Sequence, residues 1–237
     1  MYSKKTFAAI IPARMGSVSV KNKNLQKING RSLFQITLDL AKKSKLIDSI
    51  FVSSNDPKIL KHQKLLKYKK INFLERSNKI STSNTKMLSV IRDVKRRIKK
   101  HYDYFILLQV TCPFRNLSDI NKSIKKIIRD NSDNVISVTG VDDFHPSRMY
   151  KLKSKKLIPL DKLNYSKNRQ KLPKIYHRNG IIYLFKTSNL KKFKNFYGKK
   201  ISPLIIENSR SINIDNYQDL IYARAISKKK TTGFRKN

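Results

Sequence analysis

Between the apolar run Phe7 to Ile11 and Leu25 the chain carries Arg14, Gly16, Ser17, Ser19, Lys21, Lys23 and Asn24 in quick succession. Guanidinium and ammonium groups neutralise phosphate, and hydroxyls and turn N–H groups donate to its oxygens, so this mixture suits a phosphate-binding loop. Neither of the best-known phosphate loops is present. A Walker loop needs Gly-x-x-x-x-Gly-Lys-Ser/Thr and the dinucleotide fingerprint needs three glycines, whereas this loop has Gly16 alone. On charge alone a solvated basic loop is the simpler reading. Position favours the phosphate: Phe7 to Ile11 has the continuous apolar pattern of a strand buried on both faces, and open α/β sheets bind ligands at the carboxyl ends of such strands.

The elements that must position this loop follow in alternation. Ser32 is an expected N-cap for a helix with Leu33, Ile36, Thr37, Leu40 and Ala41 at helical spacing. Ser49 to Ser54 is a second strand, so a right-handed βαβ unit is expected. Asn55-Asp56-Pro57 opens a helix through Ile59, Leu60, Leu65 and Leu66, and the polar stretch around Arg76, Ser81, Ser83 and Asn84 leads to a helix beginning near Thr85. Tyr104 to Val110 reads as a central strand. Leu117, Ser118 and Asp119 start a helix whose Ile120, Ile124, Ile127 and Ile128 share a face. Further strands are expected at Asn134 to Thr139, Gly180 to Phe185 and within Lys199 to Ile206, and a last helix at Tyr217 to Ile226. Residues 141–176 depart from this alternation: charge alternates with short apolar patches, with three prolines and a hairpin around Tyr150 to Ile158. The expected fold is therefore α/β, with one domain over 1–237, a mostly parallel Rossmann-like sheet, an excursion at 141–176 and a basic tail at 228–237.

At 237 residues the chain suffices for one well-buried α/β domain, and 39% hydrophobic content spread along its length argues against disorder. The formal charge of +39 would ordinarily suggest nucleic acid. Here the lysines are diffuse, isoleucine and asparagine are abundant too, and no nucleic-acid-binding module accompanies them, so the expected specific use of the charge is an anionic small molecule. The single cysteine, Cys112, fits a reducing compartment and reads as a small core residue. The start MYSKKTF lacks a signal-peptide apolar region and no apolar run approaches membrane-spanning length, so the expected location is cytoplasmic, with no membrane partner.

The opening stretch IIPARMGSVSVKNKNL resembles the signature of the acylneuraminate cytidylyltransferases, or CMP-sialic acid synthetases, including relatives that activate legionaminic and pseudaminic acids. Arg14, Gly16, Ser17, Lys23 and Asn24 match, while Met15, Val18 and Ser19 depart from the pattern. Further matches are Arg76, the segment Gln109 to Arg115, then Arg169-Gln170, Pro173, Tyr176, Asn179-Gly180 and Tyr183, and finally SINID with Asn213 and Asp215. The resemblance implies a nucleotidyltransferase that moves CMP from CTP to the anomeric hydroxyl of an acidic nine-carbon sugar and releases pyrophosphate. Arg14, Gly16, Ser17, Lys23, Asn24, Arg76 and Gln109 would hold the nucleotide, with Arg14 and Lys23 stabilising charge in the reaction. Gln109, Arg169, Asn179 and Tyr183 would face the sugar. The resemblance also implies magnesium at Asp215 and Asn213, with Asp219 nearby, and a homodimer built on the 141–176 excursion. Asn213 stands where an acidic residue is usual, and Arg178 beside His177 leaves the second sugar-facing cation open. Other readings are an octulosonate-type cytidylyltransferase, suggested by ARMGS, a degenerate relative, and a non-enzymatic nucleic-acid-binding protein.

Overall fold

The computed structural model of the protein describes residues 1–65, 68–141 and 143–231. Leu66, expected in a helix, and 232–237 of the basic tail lie outside the described residues. β1 (Phe7–Pro12) is buried along its length, with Phe7, Ala9 and Ile11 turned to one layer of helices and Ala8 and Ile10 to the other. This double burial is why the strand shows no polar alternation.

After a basic loop, the short hairpin β2 (Lys27–Ile28) and β3 (Arg31–Ser32) turns on Asn29 and Gly30, both at positive φ, the conformation for which Asn-Gly is suited. Ser32 then caps α1 (Leu33–Lys43): its hydroxyl accepts from the Gln35 N–H while the Gln35 side chain accepts from the Ser32 N–H. β4 (Ser49–Ser54) follows, then α2 (Pro57–Leu60), which Asp56 caps, and α3 (His62–Leu65). β5 (Ile71–Glu75), unanticipated from the sequence, lies at the sheet margin, where the segment INFLE is only half-buried and lacks a clear apolar face. α4 (Met87–Arg97) leads to β6 (Tyr104–Leu107), which stops short of Val110 because the chain turns after Leu108.

α5 (Leu117–Arg129) starts from a reciprocal Asn116–Asp119 cap, and β7 (Asn134–Gly140) follows. The excursion holds the hairpin β8 (Tyr150–Lys153) and β9 (Lys156–Pro159), which pairs with no other strand among the described residues. β10 (Tyr176–Lys186), α6 (Asn189–Lys192), β11 (Ile201–Ile205) and α7 (Tyr217–Thr231) complete the chain. α7 runs past Ile226 into the basic segment.

The seven-stranded sheet has the order β11-β7-β10-β6-β1-β4-β5. All neighbours run parallel except at β10, which is antiparallel to β6 and β7. The mixed, mostly parallel sheet expected from the sequence is therefore present. α1, α5 and α7 cover one face and α4 the other, against Phe105, Phe185 and Phe196. After β1 the chain builds outward through β4 and β5, then returns to place β6 on the other side of β1. This reversal opens a crevice at the carboxyl ends of β1 and β6.

Candidate active site

That crevice is a cleft of about 200 Å³ lined by Pro12, Arg14, Ser17, Lys23, Asn24, Arg76, Thr82, Thr85, Met87, Val90 and Thr111. Five residues nominated from the sequence for a nucleotide thus meet in one place. Three are cations, three further hydroxyls come from threonines, and no carboxylate stands among the described lining residues.

The loop after β1 is held from within and from outside. The Arg14 Nη1 donates to the Gly16 carbonyl at 2.7 Å, Asn24 Nδ2 donates to the Arg14 carbonyl at 2.8 Å, and the Met15 N–H donates to Asn55 Oδ1 at 2.8 Å. Gly16 sits at φ +80°, in the left-handed region that side chains disfavour. Asn24 therefore shapes the loop rather than reaching into the cleft as a free donor.

Lys23 crosses to the other end of the chain. Its Nζ donates to the Asp215 carbonyl at 2.8 Å and lies 4.0 Å from the Asp215 carboxylate, and its side chain is only 12% exposed. Burial lowers its pKa against the raising pull of Asp215 and Asp219, with Arg14 lowering it further. Arg76 is also buried: Nε donates to Ser53 Oγ at 3.0 Å and Nη2 to the Ser53 carbonyl at 2.7 Å, which fixes the fork to the end of β4. Burial, and then Arg14, bring its pKa down to about 10, so it stays charged at neutral pH. Holding this cationic group in the interior is costly unless an anion compensates it.

The residues nominated for a sugar are more dispersed. Gln109 follows β6, two residues before Thr111, and stands outside the cleft lining. Tyr183 on β10 packs edge-on against Phe196 and Tyr197, and burial raises its phenol pKa. Arg178 donates to the Tyr197 hydroxyl at 2.5 Å, whereas His177 stands by the excursion with Phe144 and Met149. Arg169 is not brought to the cleft: it lies half-exposed on the excursion, 3.2 Å from Asp143. Asn179 is 4% exposed, donating to Thr139 Oγ1 at 2.7 Å while accepting from Ser137 Oγ at 2.6 Å and the Ile181 N–H at 3.2 Å. Its carbonyl and one of its two N–H donors are thus committed within the sheet.

Arg115 neither pairs with a carboxylate nor caps α5. It is buried, donating from Nε to the Ile181 carbonyl and from Nη2 to the Gln109 carbonyl, and its Nη1 is buried without a partner. Cys112 is buried as expected and its thiol is pushed up to about 11 by desolvation.

At the carboxyl side, Asn213 Nδ2 donates to Asp215 Oδ2 at 2.7 Å, and its own carbonyl accepts from the Cys112 thiol at 3.6 Å. The Asn213 oxygen therefore faces away from the Asp215 carboxylate. Asp219 is spent on the α7 terminus, accepting from the N–H groups of Asp215 and Asn216 while the Asn216 side chain returns the bond. The cap of α7 is made by Asn216 and Asp219.

Sequence reasoning passed over Thr82, Thr85 and Thr111. The hydroxyl-rich run Ser81 to Thr85 at the end of a strand was a usable signal, of the same kind as the loop after β1. Recognising it required reading INFLE as a strand.

The sequence matches the family model described as Cytidylyltransferase over residues 8–231. It is 28% identical over 224 residues to Post-translational flagellin modification protein B of Campylobacter coli, covering 93% of this chain and 94% of that one. It is 27% identical to the N-acylneuraminate cytidylyltransferase of Escherichia coli, over 94% of this chain and 52% of that one, so the chain spans about half the length of this relative. The structure of CMP:2-keto-3-deoxy-manno-octonic acid synthetase complexed with CTP superposes with a TM-score of 0.72 at 15% identity, covering 95% of this chain and 99% of that one.

Proposed function

Because the chain belongs to the cytidylyltransferase family, we propose that it transfers CMP from CTP to the anomeric hydroxyl of an acidic nine-carbon sugar of the sialic-acid type. The observation that carries this reading is the convergence of Arg14, Lys23 and Arg76 with the Thr82, Thr85 and Thr111 hydroxyls on one cleft, with no carboxylate among its described lining residues. A triphosphate fits that chemistry. The sugar hydroxyl loses its proton and attacks the α-phosphate, the new O–P bond forms as the bond to the β-phosphate breaks, and pyrophosphate leaves. No covalent enzyme intermediate is needed, so the chain's residues contribute positioning and charge stabilisation.

Magnesium would neutralise the phosphates and the leaving pyrophosphate when bound. The donor set supports it at Asp215, whose carboxylate is 71% exposed. It does not support Asn213 as a ligand, since that side chain turns N–H toward Asp215, nor Asp219, which caps α7. One carboxylate plus phosphate oxygens is a donor set that magnesium accepts. Among the described residues no helix is long and apolar enough to cross a membrane, and with one buried cysteine this fits a cytoplasmic enzyme. The test is pyrophosphate release from CTP with a panel of sialic, legionaminic, pseudaminic and octulosonic acids. Release with a nine-carbon acid, abolished by a magnesium chelator, is the expected result. Release with the octulosonic acid alone, or with none, would overturn it.

We also propose a homodimer through the excursion. Phe144, Leu152, Leu157 and Leu163 are 79%, 75%, 67% and 85% exposed there, in a segment whose two ends are joined by His145, whose Nε2 pairs with the Pro173 carbonyl at 3.1 Å. Single exposed apolar residues are ordinary, but four in one short segment mark an interaction surface. Arg169 on the same segment, far more exposed than the cleft cations, suits a residue that completes a neighbouring protomer's site. Sedimentation at micromolar concentration should give a dimer that Leu152→Asp with Leu157→Asp converts to monomer; a monomeric wild type would refute the proposal.

A further inference from the structure

The pairing of β10 is irregular: its register against β7 shifts between Arg178 and Tyr183, and Gly180 stands in this irregularity at φ +78°. Such bulges re-aim neighbouring side chains. Here the bulge is bolted to the turn that follows β6. Arg115 bridges the two by donating to the Ile181 carbonyl at 2.7 Å and to the Gln109 carbonyl at 2.8 Å, and the Cys112 thiol donates to the Asn179 carbonyl at 3.7 Å. The bolt brings the Gln109 side chain across the face of Gly180. A Cβ at Gly180 would stand 2.6 Å from Gln109 Oε1 and 3.4 Å from Cys112 Sγ. The first distance is well inside van der Waals contact, so the carboxamide occupies the space that any other residue at 180 would fill.

We propose that Gly180 is a positioning residue for Gln109, and that the missing side chain sets where the carboxamide meets the acceptor sugar. This rests on the cytidylyltransferase reading. Gln109 stands outside the lining of the cationic cleft and two residues before Thr111, which lines it, and on the cytidylyltransferase reading its carboxamide is assigned to the acceptor. An amide offers both a donor and an acceptor to sugar hydroxyls. Because the colliding atom is the end of a flexible side chain, Gly180→Ala displaces Gln109 without dismantling the sheet. Displacements of this order cost about 10- to 100-fold in a positioned reaction.

A simpler role for Gly180, accommodating its positive φ, predicts a different pattern. Backbone strain from alanine is the same whatever occupies position 109, whereas the collision disappears in a Gln109→Ala background. Gly180→Ala should therefore raise the KM for the acceptor by about 10- to 100-fold in wild type and leave it unmoved when added to Gln109→Ala. Equal effects in both backgrounds, or no effect in either, would overturn the proposal. A wild-type chain that turns over no acceptor would defeat the functional reading instead. In that case the side-chain amide resonance of Gln109, assigned by its loss in Gln109→Ala, decides: a large shift in Gly180→Ala sustains the positioning role, and an unmoved resonance sinks it.

Discussion

Replacing Lys23 by alanine is expected to lower kcat/KM for CTP by about 10²- to 10³-fold, equivalent to roughly 3 to 4 kcal/mol of transition-state stabilisation, the magnitude typical of a preorganised donor aimed at developing charge. The expectation follows from how little freedom the ammonium has. It is bonded to the Asp215 carbonyl at 2.8 Å and mostly shielded from water, on the rim of a cleft whose other cations are Arg14 and Arg76. The competing explanation, loss of an ion pair that holds the fold, is too small: the carboxylate of Asp215 lies 4.0 Å away and is largely solvated, and exposed pairs are worth about 0 to 1 kcal/mol. Lys23→Ala should thus melt within a few degrees of wild type while losing activity. If turnover survives, Lys23 does not act on the phosphates.

Lysine chemistry adds a pH signature. Burial lowers the Lys23 pKa from its ordinary value, so in the free enzyme the ammonium is lost earlier than usual as pH rises. The alkaline limb of kcat/KM for CTP should fall in that window, and Lys23→Arg, whose side chain does not titrate there, should move the limb upward even if the rate drops. An unchanged limb in Lys23→Arg would assign the titration to another group.

What could be read from the sequence divides along a physical line. β1, the capped α1, β4 and the isoleucine face of α5 were legible because each rests on local information, either apolar spacing or a capping residue in sequence contact with its helix. The phosphate-loop cations were legible because charge type and position at a strand end suffice. The destinations of buried polar side chains were not. Whether Arg115 meets a carboxylate or two carbonyls depends on which strand packs beside β6, and that is decided by the antiparallel β10 from much later in the chain. Asp219 looks like a ligand in one dimension because carboxylates serve metals and helix caps alike; only the start of α7 decides for the cap.

The same distinction makes Asn179 the most informative residue of the sheet. Asn179→Ala is expected to cost about 3 kcal/mol of stability, because it removes three hydrogen bonds of roughly 1 kcal/mol each in a buried setting. The loss is not shared evenly. Thr139 Oγ1 retains the Ile206 carbonyl and Ser211 Oγ, and Ser137 Oγ still donates to the Ile182 carbonyl, but the Ile181 N–H loses its side-chain acceptor inside the bulge. For a chain of this size, 3 kcal/mol corresponds to a fall in Tm of roughly 6 to 12 °C. Activity measured well below the new Tm should remain within several-fold of wild type, with any loss expressed through Gln109, which the bulge carries in place. The sugar-binding role implied by the resemblance predicts the reverse: a Tm close to wild type and a large rise in the acceptor KM. Thermal melts and acceptor titrations on this one variant separate the two, because an amide committed to Ser137, Thr139 and Ile181 stabilises the sheet through those bonds.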